Sequence, residues 1–189
     1  MGGNYLLQGV LWLIYPLAIF YGLSFMEPRY VALLLAVTLL LRRYKDAARL
    51  LSGASRADLI VVAALLALAA MTVWSNSELL LRFYPAAMNA GMLVLFGLSL
   101  RRPPSMVERF ARLREPDLPP AGVRYTRQVT CLWCLFFVFN GAVAAASAIY
   151  ASRELWALYN GFIAYLLMGA LFAGEWLCRR YFLARSSAQ

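Results

Sequence analysis

The stretch VTCLWCLFFVFNGAVAAASAIY, Val129–Tyr150, decides the fold class because it contains no charged residue. A helix needs roughly 20 apolar residues to cross the ~30 Å hydrocarbon core of a bilayer, and this stretch is long enough. The rest of the chain agrees, since 63% of its 189 residues are hydrophobic and only 14% are charged. A water-soluble domain of this size cannot bury so much apolar surface in one core. The sequence therefore predicts an all-α integral membrane protein.

Five further apolar stretches bring the expected number of membrane spans to six. The spans are predicted at residues 6–25, 30–41, 59–74, 79–100, 129–150 and 155–178. The second and third are shorter than a bilayer normally requires, so they depend on bilayer thinning or on snorkelling side chains. The first has no basic run before it and is interrupted by Tyr15-Pro16, unlike the core of a signal peptide. We expect it to be retained as a helix of a single polytopic domain, residues 1–189.

Basic residues alternate between the ends of these spans. They are concentrated at residues 42–56, at 101–127 and at 179–185. Lys and Arg in short loops mark the cytoplasmic side of a membrane, so the pattern predicts a multi-pass protein with both termini in the cytoplasm. This topology accounts for the net charge of +9 without nucleic acid as a partner. It also makes anionic phospholipids natural partners of the basic face.

The segment 101–127 contains a short helix pattern between prolines. Ser105 and Glu108 form a capping-box sequence, and the helix must end near Glu115 because Pro116 follows. Its apolar residues share one face and its arginines the other, which predicts a helix lying in the cytoplasmic membrane interface. The simpler alternative is a connection whose arginines only fix topology. The candidate residues for docking a lipid or a partner protein are Arg101, Arg102, Met106, Arg109, Phe110, Arg112 and Leu113.

Asparagines lie deep in three of the predicted spans. Asn89 and Asn140 fall near the middle of theirs, and they could bond to each other if the two spans are antiparallel neighbours. Small residues in the last two spans, such as Gly141 and Gly169, permit close helix packing or oligomer formation. Two interpretations stay open: the asparagines hold helices together, or Asn89, Asn140 and Asn160 line a midplane site for a substrate.

Two acidic residues precede a basic residue by four positions. Glu78 with Arg82, and Glu175 with Arg179, have the favourable order for helical ion pairs, and we expect such pairs at the membrane interface. A partly buried Glu175 could instead bind a cationic group or relay protons.

Residues that carry chemistry are scarce. The chain has no histidine, which removes the commonest general base and metal ligand. Cys131 and Cys134 form a C-x-x-C pair, and Cys178 ends the last span. We expect reduced, apolar cysteines on the cytoplasmic side, with redox or metal chemistry as the alternative. No catalytic residue, metal site or cofactor is predicted.

Spans one and four share the pattern Y-P-x-A-x-x-x-G, at Tyr15–Gly22 and Tyr84–Gly91. The two spans would begin two halves of opposite orientation, as in an inverted repeat that frames a midplane site. Chance is the alternative, since the other spans show no comparable match. Pro16 and Pro85 should distort their helices in either case.

The second half of the chain, about Phe83 to Tyr181, resembles the intracellular septation protein A family of bacterial inner-membrane proteins. The residues that carry the resemblance are Arg101, Arg102, Pro103, Leu118-Pro119, Trp133, Phe136-Phe137, Gly141 and Trp156. Asn160 stands where that family has a basic residue, and Ala144 stands near an expected asparagine. The chain also resembles a small bacterial membrane protein associated with fatty-acid-like and aryl-polyene pigment biosynthesis. The resemblance implies a role in envelope maintenance or division without an established catalytic site.

Three functions follow from these patterns. The leading hypothesis is a noncatalytic inner-membrane protein that supports cell-envelope biogenesis or division, as a scaffold or accessory of envelope or lipid-like biosynthesis enzymes. The alternative is a small transporter or lipid-handling protein with a polar midplane site. A membrane enzyme would have to use Glu78, Arg82, Glu154 or Glu175, and it is the weakest of the three.

Overall fold

The computed structural model describes residues 27–31, 33, 37, 56–113 and 115–186, with side chains described to Arg179. From residue 56 onward the regular elements are helices. They are α1 (Arg56–Ser75), α2 (Glu78–Arg82), α3 (Tyr84–Arg101), α4 (Met106–Arg112), α5 (Pro120–Tyr150), α6 (Arg153–Leu158), a π-helical turn (Tyr159–Ile163) and α7 (Ala164–Ser186). The described positions of the second predicted span, Tyr30, Val31, Leu33 and Val37, are also helical.

Among the described residues, three helices are long and apolar enough to cross a membrane: Arg56–Ser75, Pro120–Tyr150 and Arg153–Arg179. They correspond to the predicted spans 59–74, 129–150 and 155–178. The predicted span 6–25, with the Tyr15–Gly22 half of the proposed repeat, lies outside the described residues. The all-helical, membrane-compatible prediction is therefore confirmed in its coarse form, and the count of six spans stays a prediction.

The predicted span 79–100 is not one continuous helix. It divides at Phe83 into α2 and α3, and Pro85 occupies the first turn of α3. Proline has no N–H to donate to Leu81, and its ring clashes with the carbonyl four residues earlier, so the chain starts a new helix there. The prediction that Pro85 distorts its helix is confirmed, and membrane crossing by residues 79–100 stays a prediction.

The long helix α5 lies at the centre of the described bundle, with α3 as its main neighbour. It begins at Pro120, so residues 120–127 are part of this helix. The expected separate amphipathic segment, 101–127, therefore does not include them. The two helices are antiparallel: Arg127, near the start of α5, bonds to Leu100 at the end of α3. A Cβ on Gly141 of α5 would lie 3.0 Å from the Cβ of Asn89, so the glycine allows the two backbones to approach closely.

Apolar packing is concentrated at the two ends of the bundle. At the α6 end, Val31, Leu81, Ala148 and Trp156 form one buried cluster. At the α4 end, Phe96, Val129, Trp133 and Phe137 form another, which we call the aromatic cluster. Between and around them large apolar side chains remain exposed, such as Leu135 at 66%. Exposure of this kind in the uncharged stretch Val129–Tyr150 of α5 fits contact with lipid.

The last predicted span consists of α6, the π-helical turn and α7. Side chains added at Gly169 or Gly174 of α7 would meet nothing within 4 Å. The small-residue face expected to pack against another helix is therefore open, as far as the described residues go. Oligomer formation through this face stays a prediction.

Candidate functional site

A chain of hydrogen bonds links α5, α3 and the π-helical turn inside the bundle. Asn140 Nδ2 donates to Asn89 Oδ1 at 3.1 Å, and Tyr159 donates from its hydroxyl to Asn140 Oδ1 at 2.9 Å. Asn89 Nδ2 donates in turn to the carbonyl oxygen of Pro85 at 2.8 Å. The predicted bond between Asn89 and Asn140 is confirmed. We call Tyr159, Asn140, Asn89 and Pro85 the polar chain.

The polar chain satisfies the amide groups that burial would otherwise leave unpaired. Asn140 is only 4% exposed, and both its amide nitrogen and its amide oxygen have a partner on another element. An unpaired amide at this position would cost about 1–3 kcal/mol. The arrangement therefore ties three elements together chemically as well as sterically.

Tyr159 escapes prediction from sequence because tyrosines in membrane spans are expected at the membrane interface. The signal that points to it is its position beside Asn160, near the start of the last span. π-Helical turns in α-helices are frequent at functional sites, and this one presents Tyr159 to Asn140.

Asn160 does not join Asn89 and Asn140. Its Nδ2 donates to Ser147 Oγ at 3.1 Å and to the carbonyl oxygen of Trp156 at 2.9 Å. Trp156 lies just before the π-helical turn, where regular helical hydrogen bonding is interrupted. Asn160 thus stabilises the turn and its contact with α5, and the expected group of three asparagines is divided in two.

Charged residues at the α6 end make partners other than those expected. The Glu78 carboxylate is paired with Arg153, with Arg153 Nε 2.9 Å from Glu78 Oε1. Arg82 instead donates from Nη2 to the carbonyl oxygens of Ser147, at 3.0 Å, and Ala151. The predicted ion pair between Glu78 and Arg82 was therefore wrong. The C-terminal end of α5 is the reason, since a cation there can bond to the carbonyls of the last turn and interacts favourably with the helix dipole.

Arg82 and Trp156 also contact each other. Trp156 Nε1 donates to the carbonyl oxygen of Arg82 at 3.0 Å, and the Arg82 guanidinium carbon lies 5.9 Å from the centre of the indole ring. This is a cation–π distance. Arg82 Nε is buried without a hydrogen-bond partner among the described residues. The pair joins α2 to α6 next to the end of α5.

At the opposite end, the short helix α4 is attached to the bundle through its first backbone amides. Met106 N–H donates to Ser99 Oγ of α3 at 2.8 Å, and Val107 N–H donates to Thr130 Oγ1 of α5 at 3.3 Å. The first N–H groups of a helix have no partner within it, so the two hydroxyls supply what the helix lacks. We call these two bonds the α4 docking contacts.

The predicted capping-box residues also act at this helix start. Ser105 N–H donates to the buried Glu108 carboxylate at 3.2 Å, and Glu108 pairs with Arg112 at 2.9 Å. The Ser105 hydroxyl is buried without a partner among the described residues. Arg112 donates a further bond to the carbonyl oxygen of Pro116 at 2.8 Å. Arg112 therefore holds the end of α4 to the following loop, and its part in docking stays a prediction.

The expected apolar face of α4 divides into two parts. Met106 and Val107 pack against the aromatic cluster. Phe110 and Leu113 are 60% and 81% exposed. The docking contacts hold the first turn of this seven-residue helix, and the exposed apolar residues follow that turn. Arg101, Arg102 and Arg109 are also exposed, and Arg109 Nε donates to the carbonyl oxygen of Pro104 at 3.0 Å.

Glu175 and Arg179 form the predicted ion pair on α7, with Oε1 and Nε 3.7 Å apart. The hydroxyl of Tyr125, on α5, lies 3.3 Å from Glu175 Oε1 and 3.2 Å from the Glu175 carbonyl oxygen. The pair therefore also connects the α4 ends of α5 and α7, a link that spacing within α7 alone does not predict.

The three cysteines lie apart from any recognisable ligand set. Cys131 and Cys178 are exposed, and Cys134 packs against the aromatic cluster. Within residues 27–31, 56–113 and 115–179, no group of three or more Cys, Asp or Glu side chains is placed to hold a metal ion. The thiols are free, not joined as disulfides.

Comparisons of the chain with protein-family models, with curated proteins and with solved structures find no match. The resemblance to the intracellular septation protein A family therefore stays a prediction from the residues that carry it.

Proposed function

We propose that the protein is a noncatalytic bacterial inner-membrane protein that supports cell-envelope biogenesis or division as a scaffold for envelope or lipid-like biosynthesis enzymes. The observation that carries the proposal is the attachment of α4 to the bundle by its first turn while the rest of the helix and the following loop stay exposed. In this proposal six spans place α4 and both termini in the cytoplasm.

A scaffold needs a presented surface of fixed geometry. The α4 docking contacts and the Glu108–Arg112 pair fix the start of α4, and Met106 and Val107 pack in the aromatic cluster. The loop that follows exposes Glu115, Pro116 and Asp117. A pre-formed surface lowers the entropic cost of binding, which favours a docking role over a merely connecting segment.

The polar interior supports a structural role for the asparagines. Asn140 has both of its amide atoms bonded within the bundle, and Asn160 donates to Ser147 and Trp156. Groups engaged in this way stabilise helix packing and would have to break those bonds to contact a substrate.

Photocrosslinking in native bacterial membranes tests the scaffold proposal. A photoreactive residue replaces Asp117 in the exposed loop, and the matched control places it at Leu135, which is exposed in the uncharged part of α5. We expect one envelope-biosynthesis or division protein to be recovered from position 117 and not from position 135. Equal recovery from both positions, or only lipid adducts at both, contradicts the proposal.

A second candidate function is lipid handling by the polar chain, and the π-helical turn beside it favours this candidate. The test is transfer of a fluorescent phosphatidylglycerol between leaflets of vesicles that contain the purified protein. Faster transfer that is lost in Asn140→Ala would support lipid handling. Transfer at the rate of protein-free vesicles, with Asn140→Ala changing stability alone, would contradict it.

A further inference from the structure

The free part of α4 and the adjoining end of α3 carry exposed apolar and exposed basic side chains. Phe110 and Leu113 are 60% and 81% exposed, Arg109 is exposed next to Phe110 in the chain, and Arg101 and Arg102 are exposed at the end of α3. We propose that these five residues form a binding surface for an anionic phospholipid of the adjacent leaflet. The inference rests on the proposed membrane placement of α4, but it does not require a protein partner.

The start of α4 is attached to α5 near the beginning of the uncharged stretch of that helix. Val107 N–H bonds to Thr130, which is the second residue of the uncharged stretch Val129–Tyr150. Arg127 is the last charged residue before that stretch, so Thr130 lies about 4.5 Å deeper along the helix at 1.5 Å per residue. The start of α4 is therefore level with the edge of the hydrocarbon region, where Phe110 and Leu113 meet acyl chains.

The position of the arginines carries the second step. Arg127 Nη1 donates to the carbonyl oxygen of Leu100 at 3.0 Å, so the end of α3 lies level with Arg127. Arg101 and Arg102 follow directly, at the depth of the headgroups. Guanidinium groups bind phosphate oxygens through charge-assisted hydrogen bonds, and anionic headgroups complement this charge. Apolar residues just inside a row of arginines are the pattern of an interfacial anchor.

The charge near this surface favours an anionic lipid over a zwitterionic one. Glu108, the acidic residue of α4, is buried and paired with Arg112, so it does not cancel the charge of the exposed arginines. The exposed loop adds Glu115 and Asp117, but five arginines against three acidic residues leave the segment 101–117 with a net charge of +2. Each arginine near an anionic surface contributes about 1 kcal/mol, which is about fivefold in affinity. The surface should therefore retain phosphatidylglycerol over phosphatidylcholine.

The experiment uses the full-length purified protein in vesicles of phosphatidylcholine and phosphatidylglycerol, with a photoreactive residue in place of Phe110 or Leu113. Mass spectrometry identifies the lipid adducts. We expect adducts at both positions, enriched in phosphatidylglycerol relative to the vesicle. Arg101→Gln with Arg102→Gln should reduce this enrichment by fivefold or more, and adding Arg109→Gln should bring the adducts to the vesicle composition.

The matched control is Arg56→Gln. Arg56 is an exposed basic residue at the start of α1, and α1 packs mainly on α3 and α2. The double variant keeps the bond from Arg109 to Pro104, so its loss of enrichment is not explained by unfolding of α4. Absence of lipid adducts, adducts of bulk composition in the unchanged protein, or an equal loss in Arg56→Gln would each overturn the inference. None of these results would bear on recovery of a partner protein from position 117.

Discussion

Asn140 donates a hydrogen bond to Asn89 across the interface of α5 and α3, with 3.1 Å between Nδ2 and Oδ1. The bond lies next to Gly141, where the two backbones approach closely, and Tyr159 extends it to the π-helical turn. A polar contact between apolar helices fixes their register because sliding either helix would leave buried amides unpaired. The middle of the bundle is therefore specified by a few hydrogen bonds, and its two ends by apolar clusters.

Removing the Asn140 side chain should destabilise the bundle by about 1–2 kcal/mol, since Asn140→Ala breaks two interhelical bonds and such bonds average about 0.6 kcal/mol each in membranes. Tyr159→Phe removes only one of them and should cost about half as much. Unfolding in mixed detergent micelles measures both. A double-mutant cycle between Asn89→Ala and Asn140→Ala that shows no coupling would disprove a direct bond.

Close packing at Gly91 can be tested within one helix. A Cβ at Gly91 would lie 2.6 Å from Val61 Cγ1 of α1, whereas a Cβ at Gly97 of the same helix would meet nothing within 4 Å. Gly91→Ala should therefore cost about 1–3 kcal/mol through overpacking. Gly97→Ala should be neutral or stabilise by up to about 1 kcal/mol through helix propensity. Equal effects in an unfolding titration would argue against the α1–α3 contact.

The docking of α4 should depend on one hydroxyl group of α5. Thr130→Val keeps the shape of the side chain but leaves the Val107 N–H without its acceptor. Hydrogen exchange at Val107 and tryptic cleavage at Arg109 should both become faster. Thr72→Val is the control, because Thr72 is also fully buried but bonds only to Leu68 of its own helix. The docking model fails if Thr72→Val and Thr130→Val accelerate cleavage alike.

Charge substitutions at the α6 end should separate Arg82 from Glu78. Glu78→Gln breaks only a partly exposed ion pair with Arg153 and should cost less than about 1 kcal/mol. Arg82→Gln should cost more, because the carbonyl of Ala151 loses the guanidinium donor and that of Ser147 keeps only the Ala151 N–H. Double-mutant cycles by detergent unfolding should show coupling of Glu78 with Arg153 and none with Arg82. Coupling of Glu78 with Arg82 and none with Arg153 would instead support the ion pair that the i, i+4 spacing predicts.

Sequence alone predicts the features that depend on single residues or on periodicity. The length of the uncharged stretches predicts the helices α1 and α5, and Pro85 predicts the break before α3. The positions of Asn89 and Asn140 near the middle of their spans predict the hydrogen bond between them. Sequence alone does not predict which partner a side chain binds when one candidate is near in the chain and another is distant. The i, i+4 spacing favours an ion pair between Glu78 and Arg82. In the structure Arg82 bonds to backbone carbonyls at the end of α5, and Glu78 pairs with Arg153.

The amphipathic pattern of α4 shows the same limit. Periodicity groups Met106, Val107, Phe110 and Leu113 on one face, and it does not distinguish burial in protein from exposure to lipid. That division depends on Ser99 and Thr130, which lie on other helices and bond to the first turn of α4. Tyr159 was missed for a related reason, since its partner Asn140 precedes it across a turn between two helices.

The proposed scaffold role and the proposed lipid-binding surface both require that α4 is held at the cytoplasmic surface of a membrane, with the α6 end of the bundle on the other side. Labelling of single cysteines with a membrane-impermeant maleimide tests it most directly, at Asp117→Cys and at Ser152→Cys, after Cys131, Cys134 and Cys178 are replaced by serine. In cells with a permeabilised outer membrane, we expect labelling at position 152 alone. Position 117 should be labelled only after the inner membrane is opened. Labelling of both positions before opening, or of 117 alone, would contradict it.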